Sequence, residues 1–567
     1  MKRWAYRVRV IGAGIAVLAA SGLATGAEPA PIGPDLVVHV LNRVAFGPRP
    51  GDIDRVTRMG VNRYLDEQLH PETIPMPADL SARLAALETQ NLSARDLIEE
   101  FRRGQQAAKK DPENGNNERR ALYLKLAQQS GEARLLRAVD SPRQLQEVMV
   151  DFWYSHFNVF QGKGLDRVLV ANYERDAIRP YAMGRFRDLL GATAHHPAML
   201  FYLDNWESSA PGYQGRGLAG AGKASGLNEN YARELMELHT LGVDGGYTQK
   251  DVTELARILT GWTFAPRFSS GSSVFVFDSQ RHDWGDKEWL GRHVGPRGQA
   301  EGEFALDVLA QSPATAHHIA YELAQYFVSD APPAALVDRL AQRFTRSDGD
   351  IRAVLDTLFH SPEFLDPANE GAKFKTPYQY VISATRASGL PVTNVRPLLV
   401  AMNQLGEPLY GCQTPDGYKN TEDAWLNPDA ISRRINFATI LASGRLPLSR
   451  QVDESTGRPF AQRIAGRPAD PDNTGIVAAN ATGSNRAAAG STSGTFNGAA
   501  NGQAAGGDTG AADNTVLSAA EADPVDLDRL LDTLGDAVSG KTLKALTTTQ
   551  PQLRAALVLG SPDFMRR

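Results

Sequence analysis

The chain has 567 residues, 42% hydrophobic and 22% charged, with a net charge of −5. That is enough for roughly two to four domains, or one large one with insertions, folded around real cores. No domain-scale basic surplus or basic patch with interleaved aromatics occurs, which argues against nucleic-acid binding. The single cysteine, Cys412, excludes an intrachain disulfide and thiolate metal clusters. Cys412 lies in a turn-rich loop with no adjacent base, so it reads as a buried, inert thiol.

The N-terminus reads as a signal peptide over residues 1–27. Lys2, Arg3, Arg7 and Arg9 precede an apolar run, Val10–Ala20, and Thr25-Gly26-Ala27 offers a cleavage site. The run is too short to span a bilayer comfortably, and no twin-arginine pair is present. Export to the periplasm or beyond is expected, with no transmembrane span after cleavage.

From residue 32 to 466 the pattern is helical, with the central stretch at Leu227–Thr263. Val37, Val40, Leu41 and Val44 share a helix face, and Phe46–Pro50 is a rigid turn before a second amphipathic helix, Gly51–Leu69. Helices over 78–105 and 119–139 are separated by a polar segment, 105–117, read as a mobile loop. Ser141-Pro142 opens a helix through about Phe157 on which Val148, Phe152 and His156 share a face, so His156 points inward. A glycine-rich loop, 211–226, precedes the central helix, read over 228–241, with Asn228 as N-cap and Gly242 as its stop. Thr248 with Asp251 is an acidic capping box for the next helix, which Gly261 ends. A β excursion over 268–300 follows, with Val274–Phe277 and Trp289–Val294 as a hairpin or lid, and helices then resume. Residues 467–522 are a low-complexity insert, and 523–567 a helical segment expected to pack back on the main domain. Its Ser561-Pro562-Asp563-Phe564 echoes Ser361-Pro362-Glu363-Phe364, both read as helix-exit turns docking an aromatic. The fold expected is mainly α, a large multi-helix body with irregular loops and one small β-hairpin.

Familiar catalytic motifs are absent. Gly217–Ala224 fits a phosphate-loop spacing but lacks the final hydroxyl and a preceding strand. Neither HExxH nor GxSxG occurs. Glu229–Arg233 and Arg233–Glu237 are helix-bracing pairs, whereas Glu234 has no cation at helical spacing. Glu234 is therefore the expected general acid or base, with His156 and Asp204 as catalytic partners. Asn158, Asn205, Asn228, Asn230, Arg233 and Glu237 are expected to bind substrate, and His282, Asp283 and Lys287 to contribute from a lid. A divalent metal held by His156, Asp204, Glu234 and His282 is an alternative that local spacing does not require. Each group also has a bland reading: a core histidine, a braced helix or a solvated turn.

Several stretches resemble the secreted bacterial family called domain of unknown function 1800. They include His39–Arg49, Trp153-Tyr154-Ser155-His156-Phe157-Asn158, Tyr202-Leu203-Asp204-Asn205 and Asn228–Gly242. Downstream follow His282–Gly291, Lys375-Thr376-Pro377, Thr414–Tyr418 and the Ser-Pro-Asp-Phe ending. The resemblance implies export and a mostly helical body, and supplies no activity. It also implies, by association, a partner from a second family, domain of unknown function 1501, which resembles sulfatases and alkaline phosphatases. Two functions follow as expectations: a hydrolase with a cleft around helix 228–241, acting on polysaccharide or peptidoglycan, or a non-catalytic envelope protein that binds or escorts that partner.

Overall fold

Apolar periodicity turns into helix along nearly the whole chain, with breaks at glycine, proline and capping residues. The computed structural model describes residues 34–213, 226–265, 274–449 and 523–567. The expected signal peptide, most of the glycine-rich loop and the low-complexity insert lie outside the described residues. Among those residues are 23 α-helices and two small antiparallel two-stranded sheets, a mainly α fold. No helix among them is long and apolar enough to cross a membrane.

Several boundaries differ from the sequence reading for identifiable reasons. The helix expected over 51–69 is two, Asp52–Met59 and Val61–Leu69. Gly60 between them adopts φ +88°, which an L side chain resists. The expected loop at 105–117 is instead the meeting of two helices, Ala94–Lys110 and Pro112–Asp140. Asp111 alone separates them, accepting from the Asn114 N–H with Pro112 at the first helical position. The polarity that suggested a loop is the exposed side of a helix pair. Gly115 allows the close approach: a Cβ there would lie 2.4 Å from Ala107 backbone.

Strands β1 (Trp262–Phe264) and β2 (Phe275–Phe277) pair with Trp262 opposite Phe277. Strands β3 (Lys287–Trp289) and β4 (Arg292–Val294) form a separate hairpin. The two segments expected to pair with each other thus take different partners. Both turn residues of the second hairpin, Leu290 and Gly291, have positive φ, the geometry that matches strand twist in a two-residue loop.

The buried apolar residues form one continuous core from Val37 to Met565. Helix Arg554–Leu559 packs on helix Pro428–Ala442, so the C-terminal segment does return to the main body. Ser361 and Ser561 each accept the N–H of the phenylalanine three residues on (3.2 and 3.1 Å), and both rings are buried. The Thr248–Asp251 capping box forms reciprocally, as expected.

Candidate active site

A cavity of about 270 Å³ lies where five stretches distant in sequence meet. Helix Gln144–His156 brings Asp151 and His156, and helix Pro313–Phe327 brings Glu322 and Tyr326, one turn apart. Helix Pro377–Ser388 starts at the wall, its first turn fixed by a Thr376–Gln379 capping box. Arg134 enters from helix Pro112–Asp140, and the segment from Glu407 to Thr421 completes the lining.

The charge order begins behind the wall. Buried Arg134 donates to Asp151 Oδ1 at 2.7 Å and to Glu174 Oε2 at 2.5 Å. Its guanidinium lies over the rings of Tyr154, Tyr378 and Tyr410. Glu174 occupies a π-helical turn, Glu174–Ile178, and also takes Arg179 at 3.0 Å and the Tyr410 hydroxyl at 2.7 Å. Burial by itself raises this carboxyl, but Arg134, Arg179 and Tyr410 together lower it to about 2.

Glu407 has the opposite environment. Burial, reinforced by the neighbouring Asp151 charge, pushes its carboxyl up to about 8. The Tyr378 N–H at 2.7 Å and the Thr376 side chain pull the other way and do not overcome it. Burial also raises Asp151, against the pull of Arg134. Of the four carboxyl groups that line the cavity, Asp151, Glu322, Glu407 and Asp416, the first is held by an arginine and Glu407 is held protonated in neutral water.

His156 is buried and points inward, as its apolar face predicts. Its Nδ1 lies 2.7 Å from Glu322 Oε2, and its Nε2 lies 3.2 Å from the His239 carbonyl oxygen. His318 Nε2 makes a similar contact, 3.2 Å from the Leu238 carbonyl, and approaches Glu322 at 3.5 Å. The two histidines thereby hold the chain just past the central helix, where backbone carbonyls lack helical donors. His239 between them is pushed well down by burial first, then by its two histidine neighbours. Burial would raise Glu322, but His156, His318 and Lys419 hold it below the usual carboxylate range.

The other expected site residues have different surroundings. The central helix spans Asn230–Glu237, shorter than the 228–241 expected. Asn228 does not sit at the N-cap; Glu229 does, and Asn228 Oδ1 instead accepts the Asn230 N–H at 2.9 Å. Past Glu237 the chain widens: His239 N–H bonds to the Glu234 carbonyl five residues back, and the Thr240 hydroxyl caps the Leu235 carbonyl. Glu234 is half-buried and raised by burial and then by Glu237, but it does not line the cavity. Arg233 bonds to Glu229 and Gln249, Glu237 accepts from Tyr247, and Asn230 is exposed. Asp204 pairs with Lys163 at 2.6 Å, and Asn205 is buried, donating to the Leu259 and Trp262 carbonyls. Of the expected set, His156 and Asn158 line the cavity.

The expected lid is a packed brace. His282 and Lys287 are buried, and both bond to Glu301, at 3.0 and 2.5 Å. Asp283 pairs with Arg257 at 2.7 Å. None of the three lines the cavity. Nor do the four residues weighed as a metal set come together. Among the described residues, metal-type ligand atoms of three side chains gather within 4.8 Å of one another at Asp66, Asp356 and His360. Cys412 is buried and unpaired, and burial raises its thiol, in keeping with an inert group.

Asp151, Glu407, Glu322 and Arg134 escaped the sequence reading. Asp151 carried one signal, since Ser155 and Asn158 follow it at four and seven residues. Glu407 carried only its position between Gly406 and Pro408, a carboxylate in an otherwise apolar turn.

Fold and site together define a mainly α-helical protein with an acid-lined internal cavity. A family model described as "Protein of unknown function (DUF1800)" matches residues 39–566, and the chain belongs to that family. No curated protein and no solved structure matches it.

Proposed function

We propose that the protein is an exported hydrolase whose active site is the cavity between Asp151 and Glu407. The observation that carries this reading is the contrast between the two carboxyl groups. Burial raises both, but Asp151 is bonded to Arg134 at 2.7 Å, whereas Glu407 is raised also by the Asp151 charge and keeps its proton to about 8. Paired groups in such unequal environments divide the labour of acid and base. Glu407 donates its proton to the leaving-group oxygen as that bond breaks. Asp151 takes a proton from the attacking water, whose oxygen forms the new bond. Glu322, tied to His156, holds the wall beside them. Export rests on the basic, then apolar, N-terminus.

The test is hydrolysis of chromogenic aryl glycosides and aryl esters by the purified protein, Glu407→Gln and Asp151→Asn. Turnover by the wild type and a loss of about 100-fold or more in each variant are expected. Equal rates in all three would overturn the assignment. No turnover by any would shift the reading to the envelope-binding role.

A further inference from the structure

We infer that the ligand of this cavity is a neutral, hydroxyl-rich sugar unit at a chain end. This rests on the hydrolase reading and adds the substrate class to it.

The first observation concerns the walls. Phe152 and the tyrosines at 154, 326, 378, 410 and 418 line the cavity. Every one of those tyrosine hydroxyls already has a protein partner. Tyr154 donates to the Val159 carbonyl at 2.8 Å, Tyr418 to the Pro408 carbonyl at 3.0 Å, and Tyr410 to Glu174. Tyr326 and Tyr378 accept from Gln379 and Arg134. Apart from the Tyr326 and Tyr378 O–H protons, these side chains offer a ligand ring surface, which suits the flat C–H faces of a pyranose through dispersion and the ring quadrupole.

The second concerns hydrogen bonding. Three of the lining amides are committed: Asn158 donates to the Cys412 and Thr414 carbonyls, Gln325 donates to the Tyr321 hydroxyl and the Asp330 carbonyl, and Gln379 is engaged at both ends. An ionised carboxylate offers about four acceptor sites. Asp151 gives one oxygen to Arg134, and Glu322 one to His156. The cavity keeps acceptors on Asp151 and Glu322 and donors on protonated Glu407 and the Tyr326 and Tyr378 hydroxyls, so it suits a ligand whose groups both donate and accept. Sugar hydroxyls do so without bringing charge.

The third concerns charge. Arg134 is held by Asp151 and Glu174, and Lys419 is paired with Asp416 at 2.7 Å. Among the described lining residues, no arginine or lysine is left unpaired for a phosphate, sulfate or carboxylate. An ammonium ligand would compete with Arg134 for Asp151 and with His156 for Glu322. Size points the same way. At about 270 Å³ the cavity falls just under the roughly 300 Å³ at which small-molecule sites commonly begin, room for one ring and not a chain.

The experiment is calorimetric titration of full-length Glu407→Gln, which keeps the cavity's shape and blocks cleavage. The probes are methyl glycosides of glucose, galactose and N-acetylglucosamine, with inorganic phosphate and butylamine as rivals. Saturable binding of at least one glycoside in the millimolar range or tighter is expected, with neither rival saturating. In the same background, Tyr418→Ala is expected to weaken binding about tenfold, and Tyr418→Phe to retain it within about threefold. Matched thermal unfolding of the two variants separates lost contact from lost fold. Tighter binding of phosphate or butylamine, or no glycoside binding, overturns the inference. Glu407-dependent ester cleavage without glycoside binding would sink the sugar assignment and leave the hydrolase reading standing. Glycoside binding with no wild-type turnover would do the reverse.

Discussion

At the scale of single residues, Glu407 governs how the protein responds to pH. The folded protein holds its proton to about 8, whereas the unfolded chain releases it near 4.5. Between those values the native state binds the extra proton, so stability falls as pH rises. The contribution is complete below the unfolded value and gone above about 8, and its size is of order several kcal/mol. Glu407→Gln removes the titration and leaves an acceptor for the Tyr378 N–H. Thermal unfolding should match wild type near about pH 5 and rise above it, by several degrees, near about pH 9. A constant difference across that range would show that Glu407 does not titrate there. This residue also marks where sequence reading stops. His156 was legible because Val148 and Phe152 share its helix face. Glu234 was singled out for lacking a helical partner, but that criterion cannot see burial. Glu407, raised by burial, sits in a turn, where no periodicity reports it.

At the scale of elements, the cavity wall depends on how one loop meets one helix end. Tyr418 N–H donates to Ser155 Oγ at 3.1 Å, and that hydroxyl donates to the Tyr418 carbonyl at 3.2 Å. Gly417 makes the approach feasible. Its φ is +65°, and a Cβ would lie 2.1 Å from the Ser155 carbonyl oxygen, a backbone atom that cannot swing aside. Gly417→Ala should cost about 2 kcal/mol or more in denaturant unfolding and abolish cavity binding, although it deletes no polar contact. Unchanged stability and binding would mean that this loop is not fixed against the helix. Local signals of this kind were readable: the Thr248–Asp251 box and the paired Ser-Pro-x-Phe turns formed as the sequence implied. Errors came where polarity was equated with loop. The 105–117 segment is helical because Asp111 and Pro112 start a new helix at once, and His282 and Lys287 are buried, with Trp284–Asp286 exposed between them, because Glu301 bonds to both.

At the scale of the whole molecule, the site is a product of assembly. Arg134, Asp151, Glu322, Tyr378 and Glu407 come from five stretches distant in sequence, brought together by one continuous core. Fold class was legible because helical periodicity repeats locally. The site was not, because no spacing rule links Asp151 to Glu407. The account's central claim is that Glu407 acts as a proton donor in this cavity, and the pH dependence of kcat/KM for hydrolysis tests it most directly. Wild type should hold its rate through neutrality and lose it as pH climbs through about 8, with that alkaline limb absent from whatever activity Glu407→Gln retains. A limb that survives in the variant, or a wild-type rate unchanged through about 8, would contradict it.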